Sequence, residues 1–354
     1  MSRLTNPNAS VSNVSDDRSH AARVPSFALL EPFDVAREKT IAGWLRIAFF
    51  SSILFNHTVP IPYEFVDERM WVVWAQMLRD FGAVGFFLIA GVSLKGKVLA
   101  RGHVKLPSNL LKLAIAAAVL AAFDMLYTVA KGGELGSVHR SFYFALYETN
   151  LWFFIAYAFA GPLLLSLTRR DTFWTGVCCL LFIMFPGDTR LISPWILQTI
   201  SLGFVCMAIG VELHGRQANP WLMLAVAAVA FVVRVSLDDY GVPVYHAIDV
   251  VLRIVYGVAC FLLFKALADA LCRRSMRPPG WANYLFVPYL IQVPIVIVVT
   301  VIATALFNGS LQVKMPPIFF SFPGWLAFVL TIFGIAMLAS FIVAWFLRRF
   351  EIRV

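Results

Sequence analysis

Ten apolar segments, each of roughly the length needed to cross a bilayer, constrain this chain more than any other feature. Only helices and closed barrels satisfy their backbone hydrogen bonds in lipid, and about 20 apolar residues in a helix cover the hydrocarbon core. The sequence therefore predicts an all-α integral membrane protein with ten transmembrane helices. The segments lie near residues 41–58, 76–94, 108–129, 149–167, 173–186, 195–213, 220–236, 247–268, 282–306 and 324–347.

The composition agrees with this class. Hydrophobic residues make up 60% of the chain and charged residues 14%, with a mean hydropathy of +0.79, whereas about a quarter of a soluble domain is charged. Residues 1–40 are polar and have no apolar core, which predicts a disordered cytoplasmic tail rather than a signal peptide. Residues 41–354 are predicted to form one transmembrane domain. The five cysteines, mostly within apolar runs, indicate neither a disulfide framework nor a metal site.

The positive charges are distributed by topology. The net charge is +9, and a cytoplasmic amino terminus puts 19 Lys and Arg residues in the loops and tails of that side, against six on the other. This asymmetry follows the positive-inside rule, so both termini are predicted to lie in the cytoplasm. Because orientation accounts for the charge, we expect no nucleic-acid partner.

Two ionisable residues share the first apolar segment. Arg46 and His57 are eleven residues apart, so in a helix their side chains emerge within about 20° of each other and roughly 16 Å apart along the axis. Ionisable groups at membrane depth usually face a protein interior or a wet cavity. The spacing predicts that one side of this helix lines a path through the protein, with the cation of Arg46 at one level and the imidazole of His57 at another. Alternatively, Arg46 extends to the headgroups and His57 caps the segment at the interface.

Two carboxylates are candidate partners for the imidazole. Asp124 lies in the third segment at nearly the depth of His57, and Glu148 lies at the outer start of the fourth. Either one could orient His57 and stabilise its protonated form. The alternative is that Asp124 lies in water at the outer interface.

The later segments hold further charges. Asp249 and Arg253 are four residues apart and share a helix face, which predicts a structural ion pair that could also line a cavity. Arg234 lies near the outer end of the seventh segment, beside two aspartates, and is interpreted as interfacial.

Five short motifs follow one another along residues 41–347. Together they resemble the membrane-bound acyltransferase family 3, whose first span opens with Arg-x10-His. The motifs are Trp44-Leu-Arg with His57, Gly82-Ala-Val-Gly-Phe-Phe-Leu-Ile-Ala-Gly-Val, Lys105-Leu-Pro107, Leu151-Trp-Phe-Phe and Tyr289-Leu-Ile-Gln-Val-Pro294.

The resemblance implies acyl transfer across the inner membrane of a bacterium. Cytoplasmic acyl-coenzyme A, most often acetyl-coenzyme A, would be the donor substrate, with no bound cofactor and no metal. A hydroxyl of an extracytoplasmic carbohydrate or lipid-linked glycan would be the acceptor, with membrane lipids around the protein. Arg46 would contact donor oxygens and His57 would act as general base, with Asp124 or Glu148 beside it. A basic cluster of Lys95, Lys97, Arg101 and Lys105 would dock the coenzyme, or would only set orientation.

The chain also departs from the family pattern. Gly102-His-Val-Lys105 stands where the family has Arg-x-x-Arg, with Arg101 one place off. Gln292 replaces a late histidine, and the run from Tyr157 replaces an acidic residue of the fourth span. These changes predict a divergent branch and keep an inactive paralogue as an alternative. A secondary transporter, with Arg46, Asp249 and Arg253 binding an anionic solute, is the other alternative. The lack of an evident internal repeat disfavours the transporter.

Overall fold

The protein is described by a computed structural model over residues 35–58, 68–101, 107–130, 151–185, 194–237, 243–308 and 322–350. Within these ranges the chain forms ten α-helices, a short 3₁₀ helix at Gly280–Tyr284 and no strand. The α-helices are α1 (Val35–Thr58), α2 (Glu68–Arg101), α3 (Pro107–Ala130), α4 (Leu151–Ser166), α5 (Arg169–Met184), α6 (Pro194–Leu213), α7 (Pro220–Ser236), α8 (Pro243–Arg273), α9 (Phe286–Asn308) and α10 (Phe322–Arg349).

Each predicted apolar segment corresponds to one of these helices, and the all-α class is confirmed. The helix ends differ from the apolar boundaries, because several helices extend past them on charged residues. Helix α1 begins at Val35, six residues before the first apolar segment at residue 41. Arg37 and Glu38 lie in its first turn and form ion pairs with α8. The rest of the predicted tail lies outside the described residues.

The chain is a helical membrane protein. Among the described residues, three helices are long and apolar enough to cross a membrane, within Phe81–Val98, His246–Arg273 and Leu326–Arg349. Five further helices contain apolar stretches of 10–17 residues. Helix α1 belongs to neither group, because Arg46, Asn56 and His57 lower its hydropathy. Ten membrane crossings and two cytoplasmic termini stay predictions.

Contacts between helix termini define two ends of the bundle. At one end the start of α1 meets the ends of α2, α6 and α8, through the side chains of Glu38, Lys95 and Lys265. We call this the basic end. At the opposite end the last turn of α7 meets the first turns of α8, where Arg234 pairs with Asp249. Several of the cations that are predicted to be cytoplasmic, namely Arg37, Lys95 and Lys265, therefore share the basic end.

Helix α2 lies at the centre of the bundle and packs against α1, α6 and α8. Its aromatic side chains interlock with those of its neighbours. Phe81 meets Phe49 of α1 edge to face at 4.8 Å between ring centroids, and Phe87 meets Phe153 of α4 at 4.7 Å. Such ring contacts add to the hydrophobic gain of burial. They hold α2 against α1 and α4.

Two glycines let α2 and α6 approach each other closely. A Cβ added at Gly91 would collide with the backbone carbonyl of Met207, and one at Gly210 with the carbonyl of Leu88. Because backbone atoms cannot turn away as a side chain can, only glycine fits at either position. The second-span glycine motif therefore serves helix packing.

We expect Gly91→Ala to destabilise the protein by about 1–3 kcal/mol or more, because the added methyl group must push α2 away from α6. Gly176 and Gly334 are matched controls, since a Cβ at either helical position meets nothing within 4 Å. Alanine there should be neutral or stabilise by up to about 1 kcal/mol. Unfolding of the purified variants in detergent measures both effects. Equal midpoints for Gly91→Ala and the controls would contradict the close approach.

Candidate functional site

Arg46 is held near the basic end by the segment that follows α8. Its Nη1 donates a hydrogen bond of 2.8 Å to Oδ1 of Asn283, in the 3₁₀ helix. One turn earlier on α1, Gly43 lets this segment come close, since a Cβ there would lie 2.6 Å from Cγ of Pro278. The guanidinium is therefore anchored by one contact and half-buried.

His57 lies in the last turn of α1, at the opposite end of the bundle. The imidazole is half-buried, and the same turn packs against α10 through Phe55, whose ring lies 5.4 Å from that of Phe333. Because α1 is continuous from Val35 to Thr58, Arg46 and His57 lie within about 20° around its axis and roughly 16 Å apart along it. One helix thus presents a cation and an imidazole at two levels of one side.

Of the two carboxylate candidates, only Asp124 lies within the described residues. Asp124 is half-buried on α3, which packs on α4 and α9. Helix α1 packs on α2, α8, α9 and α10, so the helices of Asp124 and His57 share α9 as a neighbour. Glu148 lies outside the described residues. The pairing of either carboxylate with His57 stays a prediction.

The predicted basic cluster does not form one exposed surface over its described part. Lys95 is 2% exposed, and its ammonium donates to the carbonyl of Val211 at 3.2 Å, in the last turn of α6. This contact satisfies one of the carbonyls that a helix end leaves without an intrahelical partner. Lys97 is exposed. The side chain of Arg101 and all of Lys105 lie outside the described residues. The geometry gives Lys95 a structural role.

A buried ion pair at the basic end was not visible in the sequence. Glu38 of α1 and Lys265 of α8 meet at 2.9 Å, with side chains only 5% and 4% exposed. Lys265 also donates to the carbonyl of Leu213 at 3.0 Å, and the amide of Gly215 donates to Glu38 at 3.2 Å. The pair therefore ties α1, α6 and α8 together. No local spacing could reveal it, because its members are 227 residues apart.

A second buried carboxylate lies one turn further along α8. Asp269 accepts hydrogen bonds from Arg37 at 2.7 Å, from Arg273 at 3.1 Å and from Gln217 at 3.3 Å. It lies beside a cavity of about 250 Å³ that the Glu38–Lys265 pair also lines. The cavity opens at the basic end, between α1 and α8.

The predicted Asp249–Arg253 ion pair is confirmed, with Nε of Arg253 2.8 Å from Oδ2 of Asp249. The interpretation of Arg234 as interfacial is wrong. Its side chain is fully buried, and its Nε lies 2.5 Å from Oδ1 of Asp249. Pairing with a carboxylate on the next helix makes this burial possible. The short α7–α8 connection, which brings the two helix ends together, was the available signal.

Gln292 is fully buried on α9, and its amide atoms have no hydrogen-bond partner among the described residues. Its helix neighbour Tyr289, one turn earlier, packs its ring 4.5 Å from that of Phe86. A buried amide without partners costs about 1–3 kcal/mol, which a polar ligand group could offset. Gln292 lies six residues, or about 9 Å, beyond the start of α9. Since Asn283 meets Arg46 just before α9 begins, Gln292 lies between the levels of Arg46 and His57.

His214, in the turn after α6, gives the basic end a pH dependence. Burial lowers the pKa of His214 below its usual 6.5, nearby Lys95 and Lys265 lower it further, and Glu38 opposes them. A pKa lowered by folding means that the unfolded chain takes up the proton more readily. We therefore expect stability that is full above about pH 6.5 and declines as the pH falls toward the folded-state pKa. His214→Asn should flatten that decline in unfolding measurements between roughly pH 7 and 5.5. If His214→Asn leaves the pH dependence of unfolding unchanged, His214 is not its source.

Comparison with protein-family models, curated proteins and solved structures finds no match for this chain. Fold and site define the class, which is a helical membrane protein with a cation and an imidazole aligned on the helix α1. The acyltransferase resemblance stays a prediction that rests on the motifs.

Proposed function

We propose that the protein is a transmembrane O-acyltransferase of a bacterial inner membrane. It moves an acyl group, most simply acetyl, from acyl-coenzyme A at the basic end to a hydroxyl of a glycan or lipid-linked sugar at the opposite end. The observation that carries the proposal is the alignment of Arg46 and His57 on the unbroken helix α1. In this topology the basic end faces the cytoplasm, in keeping with the positive-inside rule.

Arg46 is suited to the donor. A guanidinium has five N–H groups, and the contact with Asn283 uses one of its nitrogens. The other groups can hold a phosphate or thioester oxygen in a two-pronged contact, which an ammonium cannot reproduce. Arg46→Lys should therefore weaken acyl transfer by about tenfold or more despite its unchanged charge, because a charged hydrogen bond contributes about 1.5–3 kcal/mol. Full activity of this variant would remove Arg46 from the donor site.

His57 is suited to the acceptor. As a general base it takes the proton of the acceptor hydroxyl while the hydroxyl oxygen attacks the thioester carbonyl. The carbon–sulfur bond then breaks, and the released thiolate of coenzyme A takes up a proton. The roughly 16 Å between the two residues is spanned by the long flexible arm that carries the acyl group. The amide of Gln292 has no hydrogen-bond partner among the described residues and lies between the two levels. In this proposal it donates to the acyl carbonyl oxygen, where charge develops during attack.

The transporter alternative has weaker support. Two of its three proposed solute ligands, Asp249 and Arg253, bind each other, and Asp249 also binds the buried Arg234. These contacts are typical of a structural cluster that fixes α7 against α8. Only Arg46 then remains for the solute, which disfavours this alternative.

Purified protein reconstituted in sealed vesicles separates the two functions. Acetyl-coenzyme A is supplied on one face and a mixture of cell-envelope glycans on the other, and release of the free thiol is measured. The proposal expects thiol release that depends on the glycan and fails with His57→Ala. Glycan-independent solute uptake without thiol release would favour the transporter instead.

A further inference from the structure

An open groove lies beside the cavity at the basic end, between the first turns of α1 and the turn that follows α8. We call it the α1–α8 groove. It has a volume of about 720 Å³. Its described lining contains four cationic side chains, two hydroxyls and no carboxylate, namely Arg37, Lys39, Arg273, Arg277, Thr40 and Ser275. Such a lining is typical of a site for an anion.

The groove has a defined wall. After α8 the amide of Met276 donates to the carbonyl of Leu271 at 3.1 Å, and the amide of Ser275 to that of Cys272 at 2.9 Å. Ser275 has φ of 61°, the left-handed conformation that glycine usually takes when it ends a helix in this way. The turn is thus held by two backbone hydrogen bonds, and it places Arg273 and Arg277 on the groove from either side.

The charge of the groove is only partly balanced. Arg37 and Arg273 both bind Asp269, which lies behind them and is buried. Counting the four lining cations and this one carboxylate gives a local charge of +3 for the five groups. Lys39 and Arg277 are exposed and project into water. Arginine forks and lysine point charges are the side chains that bind phosphate oxygens.

The groove leads toward Arg46. Lys39, Gly43 and Arg46 follow one another at spacings of four and three residues, so they share one face of α1. Gly43 abuts Pro278 and Arg46 binds Asn283, both in the segment that continues from the groove. A ligand with phosphates in the groove therefore has its remaining part directed along this face.

We propose that the α1–α8 groove is a binding site for a ligand that carries two or more phosphates. Under the proposed function, on which only the ligand's identity rests, that ligand is the nucleotide end of the acyl-coenzyme A donor. Phosphates of anionic lipid headgroups have the same chemistry and are the second source. The proposed docking site is therefore formed by cations on α1 and after α8, and not by the predicted cluster that includes the buried Lys95.

The test measures binding of coenzyme A to the full-length protein in phosphatidylcholine nanodiscs. The variant Lys39→Gln/Arg277→Gln removes the two lining cations that do not bind Asp269 and leaves the ion pairs of Asp269 intact. Arg170→Gln/Arg349→Gln is the matched control, since both residues are exposed, lie at the basic end and do not line the groove. Two charged contacts together are expected to change Kd by roughly tenfold, and the control should stay within about twofold.

Three outcomes are informative. A roughly tenfold loss in the groove variant alone, decreasing with salt, supports the groove and the donor together. Binding of pyrophosphate and of cardiolipin, a lipid with two phosphates, but not of coenzyme A, with the same loss in the variant supports the groove as a lipid-headgroup site and contradicts the donor assignment. Equal binding of every phosphate ligand to wild type and variant overturns the groove, while glycan-dependent thiol release would still support the acyltransferase.

Discussion

Replacing His57 with alanine is expected to lower the rate of acyl transfer by about a hundred- to ten-thousand-fold, which is the usual effect of losing a general base. The protein should still insert and accumulate, because His57 is half-buried in the last turn of α1 and outside the aromatic core. Initial rates of glycan-dependent thiol release, at matched protein concentration, measure the effect.

His246 provides the matched control. It is also half-buried at the opposite end of the bundle, where its Nε2 lies 3.2 Å from the carbonyl of Ile183. His246→Ala removes an imidazole of similar exposure from a different helix, so its rate should stay within a few-fold of wild type. Unchanged transfer in His57→Ala, or an equal loss in both variants, would contradict the role of His57 as base.

Breaking the Glu38–Lys265 pair should have the largest effect on stability. Lys265→Met leaves the carboxylate of Glu38 buried with its main cationic partner removed, and such a loss typically costs about 3–5 kcal/mol. The double variant Glu38→Leu/Lys265→Met removes both charges and should recover most of that loss, because it leaves no uncompensated buried charge. Unfolding in detergent measures all three proteins.

An exposed ion pair at the same end of the bundle provides the control for Lys265→Met. Glu212 meets Arg216 at 3.1 Å, with side chains 41% and 61% exposed. Arg216→Gln should change stability by less than about 1 kcal/mol, since water screens exposed pairs. If Lys265→Met costs no more than Arg216→Gln, or if the double variant is as unstable as the single one, the pair is not buried as described.

The helices could be predicted from the sequence because lipid and core both require long apolar runs. The ends of the helices could not be predicted in this way. The first turn of α1, for example, contains Arg37 and Glu38, which form ion pairs with residues more than 200 positions away. The same limit applies to Arg234, whose burial depends on Asp249 of the next helix.

The candidate site was predictable where it lies on one helix. The spacing of Arg46 and His57 defines their alignment once α1 is helical. The partners of these residues were not predictable, because Asn283 reaches Arg46 only through the fold of the segment after α8. Lys95 appeared to be a docking residue, because nothing in its own helix shows that α6 ends beside it. Local patterns gave the helices, and contacts between distant helices decided which charges face a ligand.

Mass spectrometry of cell-envelope glycans compares a strain that lacks the gene with strains that carry the wild-type, His57→Ala or His246→Ala form at equal protein levels. An acyltransferase predicts that one glycan species loses the mass of an acyl group in the deletion strain. Wild type and His246→Ala should restore that mass, and His57→Ala should not. Identical glycan profiles in all four strains would contradict transmembrane acyl transfer by this protein.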